Sequence, residues 1–152
     1  MTNLIRSVGD STLVQQSKTS FFASTSLQSD VVMRCYDWAT TVRNNNGCIV
    51  SGFSSPMERD VLHFLLKGSC PIVIVLARRL YHVIPEEWRP AVDQGRMLIA
   101  YTCNQQRQSH RSAMARNQYI ADTCDRLVFA SITEQSSLYP LTQLFMGQAE
   151  IL

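Results

Sequence analysis

Five short apolar runs, each followed by a stretch with helical spacing, leave this chain few folds to adopt. The runs are Ser20 to Ala23, Cys48 to Ser51, Pro71 to Ala77, Met97 to Tyr101 and Leu127 to Ala130. Between the first two, Val31, Cys35, Trp38, Ala39 and Val42 fall on one face of a helix. After the second, Val61, Leu62, Leu65 and Leu66 do the same. Short helices are expected at Pro85 to Asp93, Ser112 to Thr123 and Pro140 to Met146. Strands that alternate with helices pair in parallel through crossovers. The run from Pro71 to Ala77, apolar at nearly every position, reads as a central strand covered on both faces. The predicted architecture is α/β, a doubly wound, mainly parallel sheet of five strands or slightly more, with helices on both faces.

A chain of 152 residues fits one domain, and a 45% hydrophobic, 17% charged composition excludes global disorder. Residues 1–18 are weakly patterned and are expected to form an N-terminal extension, with 19–152 the domain. The five cysteines (35, 48, 70, 103 and 124) contain no CxxC pair, and His63, His82 and His110 supply no metal-ligand spacing with them. That usage suits a reducing compartment, and neither metal nor cofactor is expected. The start lacks the charged-then-apolar pattern of a signal peptide, and the longest apolar run, Ile72 to Ala77, is too short to cross a bilayer. The expected location is the cytoplasm, away from membranes.

In parallel α/β sheets ligands gather beyond the carboxyl ends of the strands. This selects the turns after Ala23, Val50, Ala77, Tyr101 and Ala130, and with them Ser24, Thr25 and Ser131. The richest turn is Ser51-Gly52-Phe53-Ser54-Ser55-Pro56. Gly52 permits close backbone approach. Ser55, Pro56 and Glu58 spell a capping box with proline at the first helical position. A helix start of this kind presents N–H groups to an anion, although the same residues also make an ordinary strand-to-helix turn.

A net charge of +2 identifies no partner, but its distribution is uneven. Seven arginines lie between Arg78 and Arg116 against Glu86, Glu87 and Asp93. Arginine's planar fork suits phosphate, and Tyr81 and Trp88 nearby could stack on bases. No GxGxxG, GxxxxGK[ST] or GxSxG occurs, which removes the usual signatures of dinucleotide, P-loop and α/β-hydrolase sites. Ser51 has no evident histidine–carboxylate pair, so no catalytic residue is assigned.

The order of strand, SG turn, helix, apolar strand, Ile84-Pro85-Glu86-Glu87-Trp88, a Gly95-Arg96 strand and an Ala115-Arg116-Asn117 helix resembles the DNA-processing protein A (Smf) family over roughly residues 19–140. The family's SGxAxGID-type turn resembles Ser51 to Glu58. Its RN segment resembles Arg116-Asn117, with Ile120-Ala121 following. Its approach to Tyr-Pro-x-Glu resembles Tyr81 to Glu86. Ser24-Thr25-Ser26 stands where the family has a GSR-like turn, Pro56 where it has a second glycine, and Glu134 to Leu138 where it has a GSGSL-type turn. The resemblance implies a Rossmann-like fold and single-stranded DNA binding in DNA uptake or recombination, with a recombinase as partner. Arg78, Arg79, Arg111 and Arg116 would then meet phosphate, with Ser51, Gly52, Phe53, Ser54 and Asn117 beside them. Two alternatives stay open: a module that binds a small nucleotide-like ligand, and an enzyme of the nucleotide N-glycosidase type, whose PGGxGT-like turn is missing here. A homodimer through an exposed sheet edge is a further expectation.

Overall fold

A computed structural model describes residues 6–152. Among them, seven strands form one sheet in the order β1-β5-β4-β3-β2-β6-β7. The strands are β1 (Arg6–Gly9), β2 (Lys18–Ala23), β3 (Cys48–Ser51), β4 (Ile72–Leu76), β5 (Met97–Tyr101), β6 (Arg126–Ala130) and β7 (Ala149–Ile151). The helices are α1 (Ser29–Val42), α2 (Pro56–Leu66), α3 (Arg89–Asp93), α4 (His110–Thr123) and α5 (Tyr139–Leu144). All five expected strands are present and pair in parallel.

The two additional strands lie at the edges. β1 runs antiparallel to β5, so part of the segment read as an extension belongs to the sheet. Gly9 makes this approach possible: its φ is +111°, and a Cβ there would stand 2.2 Å from the Met97 carbonyl oxygen. β7 pairs in parallel with β6 through three residues. Neither sequence, Arg-Ser-Val-Gly nor Ala-Glu-Ile, contains an apolar run, because an edge strand buries little. The segment expected as one helix from Pro85 divides into a 3-10 turn, Glu86–Trp88, and the short α3.

Alternation along the central strands builds two cores. Ile72, Ile74 and Leu76 of β4 pack with Val31 and Cys35 of α1 and Val61 and Leu65 of α2. Val73 and Val75 point the other way, toward Ile120 and Ala121 of α4 and Leu141 of α5. Helices therefore cover both faces, as the unbroken apolar pattern of β4 requires. Phe21 stacks on Trp38 and Phe22 on Phe129, each pair at 5.0 Å, which puts these aromatics in the core. Arg96 leaves the arginine-rich set for a structural task. It donates to the carbonyl oxygens of Cys70 and Leu66, at 3.1 and 2.8 Å, and ties the end of α2 to β5.

Burial pushes the thiols of Cys35 and Cys70 up to about 11 and those of Cys48 and Cys124 up to about 12. An unfolded thiol ionises near 9, so unfolding releases protons above that pH. The four cysteines therefore contribute stability that is fully present below pH 9 and is lost as pH rises toward 11–12. Each contributes up to about 1.4 kcal/mol per pH unit in that window. Urea titrations between pH 8 and pH 11 should show this decline. A thiol-reactive dye at neutral pH should label Cys103, the one partly exposed cysteine, well before the others.

The strand order places the site. From β2 the chain moves outward through β3, β4 and β5, then returns past β2 to β6 on its other side. The order reverses between β2 and β6, and the crevice at their carboxyl ends is the topological switch point.

Candidate functional site

A cavity of about 490 Å³ opens at this switch point. Its walls come from the turn after β2, the start of α2, the inner side of α4 and the loop after β6. Ser24, Thr25, Ser54, Arg116, Asn117 and Ser131 all line it. Hydroxyl groups dominate, since Ser136 and Ser137 face it as well. The Ser24 and Ser136 hydroxyls lie 2.8 Å apart and bridge the switch point directly.

The start of α2 is capped as its sequence specifies. Ser55 Oγ accepts from the Glu58 N–H at 3.3 Å, while Glu58 Oε1 accepts from the N–H groups of Ser54 and Ser55 at 3.0 and 3.2 Å. A third bond is not local. Glu58 Oε2 accepts from the Ala23 N–H at 3.0 Å. One carboxylate, only 6% exposed, therefore joins the end of β2 to the start of α2. The position that an external anion would take at this helix start is filled from within the chain.

Arg116 forms the inner wall. It is 3% exposed, and its guanidinium donates to the Val75 carbonyl oxygen and to Ser54 Oγ, both at 3.3 Å, and to Asn117 Oδ1 at 2.7 Å. Three of its five N–H groups are thus matched by protein partners. Desolvation holds this guanidinium below its usual pKa, and the nearby Glu58 charge opposes that shift. Gly52 makes room for it: a Cβ there would lie 2.3 Å from Arg116 Nη1 and 2.4 Å from Cζ. The close approach that the SG turn allows is made by an arginine of the chain itself.

The other expected site residues divide between two further places. Ser51 is fully buried, and its hydroxyl accepts from the Phe53 N–H at 3.1 Å, which commits it to the turn. Gly52, Phe53, Ser54 and Arg78 line a second hollow of about 290 Å³ beside the first, and both hollows include Ser54 and Gln108 in their walls. There the Arg78 guanidinium lies 4.5 Å above the Tyr81 ring, and Tyr81 leans on Trp88 at 6.2 Å. Arg79 is exposed in the same loop, which its N–H ties to the Gln105 carbonyl at 2.8 Å. Arg111 is exposed in the first turn of α4 and faces neither hollow. Among the described residues the one arginine paired with a carboxylate is Arg34, with Asp30, so the side chains of Arg78, Arg79, Arg107 and Arg111 carry unpaired charge along this edge.

Two non-glycine residues have left-handed backbone, Phe53 at φ 48° and Ser131 at φ 35°. They lie just beyond β3 and β6, and such strained backbone tends to cluster at ligand-binding turns. Sequence reasoning missed Gln108, Thr133, Ser136 and Ser137 as lining residues. For Thr133, Ser136 and Ser137 the signals were the cluster of small polar residues from Ser131 to Ser137 and the position of Glu134 to Leu138 where the similar family has a GSGSL-type turn; for Gln108 there was none. Glu134, which stands in that cluster, is exposed and does not line the cavity. No group of His, Cys, Asp and Glu suited to a metal occurs among the described residues. No described helix is long and apolar enough to cross a membrane.

No protein-family model matches the sequence, and no curated protein matches it either. Solved structures do. DNA processing protein A from Streptococcus pneumoniae superposes with a TM-score of 0.74 at 16% identity, over 95% of this chain and 52% of that one. DNA processing protein A from Helicobacter pylori, in a structure that addresses its single-stranded DNA binding mode, gives 0.73 at 16% identity, over 95% and 69%. The molybdenum cofactor carrier protein from Chlamydomonas reinhardtii gives 0.53 at 7% identity, over 90% and 89%. The chain spans about half the length of the streptococcal protein. These likenesses are of fold: the sheet and its helices have the DNA-processing-A-like, Rossmann-type arrangement.

Proposed function

We propose that the carboxyl edge of this sheet binds single-stranded DNA, without covalent chemistry, across the switch-point cavity and the hollow beside it. The observation that carries this reading is Arg116. It is a buried arginine in the cavity wall, and two of its five N–H groups have no hydrogen-bond partner among the described residues. Hydroxyls and guanidinium N–H groups suit phosphate oxygens. The aromatic pair Tyr81 and Trp88 offers a sequence-tolerant surface to bases, and Arg78, Arg79 and Arg111 supply charge along the path. Glu58, the carboxylate in the cavity wall, has both oxygens occupied by backbone N–H groups, which leaves a glycosidase reading without a general acid. A cytoplasmic location, a recombinase partner and a homodimer belong to the same proposal.

Binding of a fluorescent single-stranded oligonucleotide should weaken log-linearly with salt. Three or four phosphate contacts give a slope of about −2 to −3. Arg78→Ala and Arg111→Ala should each reduce the slope by about 0.7. Arg126→Ala, at the opposite end of β6, should leave it unchanged. No binding at low salt would contradict the reading. The second reading, a small nucleotide-like ligand, is favoured by the cavity's volume of about 490 Å³, which is the size of ordinary small-molecule sites.

A further inference from the structure

We propose that the switch-point cavity admits a singly charged phosphodiester and disfavours a doubly charged phosphomonoester, because Glu58 stands in its wall beside Arg116. The inference rests on the reading of this cavity as the ligand site. It then separates an internal phosphate of a strand from the terminal phosphate of a free nucleotide.

The argument is one of charge. Arg116 brings one positive charge to the wall and Glu58 one negative charge, so their sum is zero. The remaining polar lining is neutral, made of serine and threonine hydroxyls, among them Ser24, Thr25 and Ser131, and of side-chain amides such as that of Asn117. The helix start that would usually favour a dianion is largely taken up, since the N–H groups of Ser54, Ser55 and Glu58 are bonded within the chain and Pro56 has none. What remains for an anion is the pair of unmatched N–H groups on Arg116 and a ring of hydroxyls. That set suits one negative charge. A second charge would meet the Glu58 carboxylate with no further cation in the wall to balance it, beside two charged side chains that are themselves almost fully buried. Charged groups beyond the wall are Arg59 on α2, whose Nη1 donates to the Ser54 carbonyl at 2.5 Å, His110 and Arg111 at the start of α4, and Glu134 on the loop after β6.

The test compares a nucleoside 5′-monophosphate, its methyl ester and a dinucleoside monophosphate, by calorimetry at about pH 7.5 and about pH 5. The second ionisation of a phosphomonoester lies near 6, so the monophosphate carries nearly two charges at the higher pH and one at the lower, whereas both diesters carry one throughout. At the higher pH the methyl ester should bind on the order of tenfold more tightly than the monophosphate, and the gap should close at the lower pH. Taking the ratio of the two ligands at each pH removes effects of pH on the protein that both ligands share. If the monophosphate binds as tightly as its ester at pH 7.5, the charge discrimination is wrong while the site stands. If none of the three binds, the site reading fails and this inference fails with it.

Discussion

Arg116→Met should lower stability by roughly 2–4 kcal/mol and weaken oligonucleotide binding by at least about tenfold. Methionine keeps the apolar stem within the packing but removes the donors to Val75, Ser54 and Asn117. The larger part of the loss is that of these hydrogen bonds, which leaves the Val75 carbonyl oxygen buried without its donor; the attraction of the Glu58 carboxylate, which lies beyond ion-pair distance, adds less. Arg116→Lys should not restore binding, because a point charge cannot reach three partners in the planar geometry of the guanidinium. Gly52→Ala provides an independent route to the same defect. Its Cβ would meet the guanidinium at 2.3–2.8 Å, so Arg116 must leave its place even though its sequence is untouched. Urea titration of the two single variants and the double variant should show strong non-additivity, because each change removes the same interaction. Additive losses would mean that Gly52 serves the turn alone and not the arginine.

Glu58→Gln should cost about 2–3 kcal/mol, and the reason lies in three backbone N–H groups. The amide oxygen of glutamine can still accept from Ser54 and Ser55. Its NH2 group then faces the Ala23 N–H, where two donors oppose each other. The variant also removes the nearby negative charge that favours the buried Arg116 guanidinium. Measured by urea at neutral pH, the midpoint should fall with no change in slope. A loss below about 0.5 kcal/mol would remove Glu58 as the tie between β2 and α2.

The parts of this account that were legible in the sequence are local ones. The five parallel strands follow from apolar runs, and the start of α2 from Ser55, Pro56 and Glu58 read in order. α4 was placed two residues late, because Ser109 caps it with Ser112 in the position where a capping box usually has an acid. The edge strands were invisible for want of burial. What the sequence could not show is where Arg116 goes. Spacing alone makes it one arginine among several, and the resemblance implied a phosphate contact beside Gly52; only the fold brings it to Val75, 41 residues away, and turns three of its N–H groups inward. The same holds for the 35-residue span between Glu58 and Ala23. Both contacts join different elements at the switch point, and nothing in the spacing of either residue encodes them. Ser51, by contrast, was read as a ligand contact because it begins the turn, and its hydroxyl turns inward to hold Phe53.

The most direct test is a backbone-amide NMR titration of the labelled protein with a short single-stranded DNA at low salt. The account predicts shifts concentrated at Ser24, Thr25, Ser54, Gln108 and Ser131 to Ser137, extending to Arg78 and Tyr81. It predicts that Asn45, Gly47 and Arg126, at the opposite end of the strands, stay still. Shifts centred on that opposite end, or none at the switch-point cavity, would contradict it.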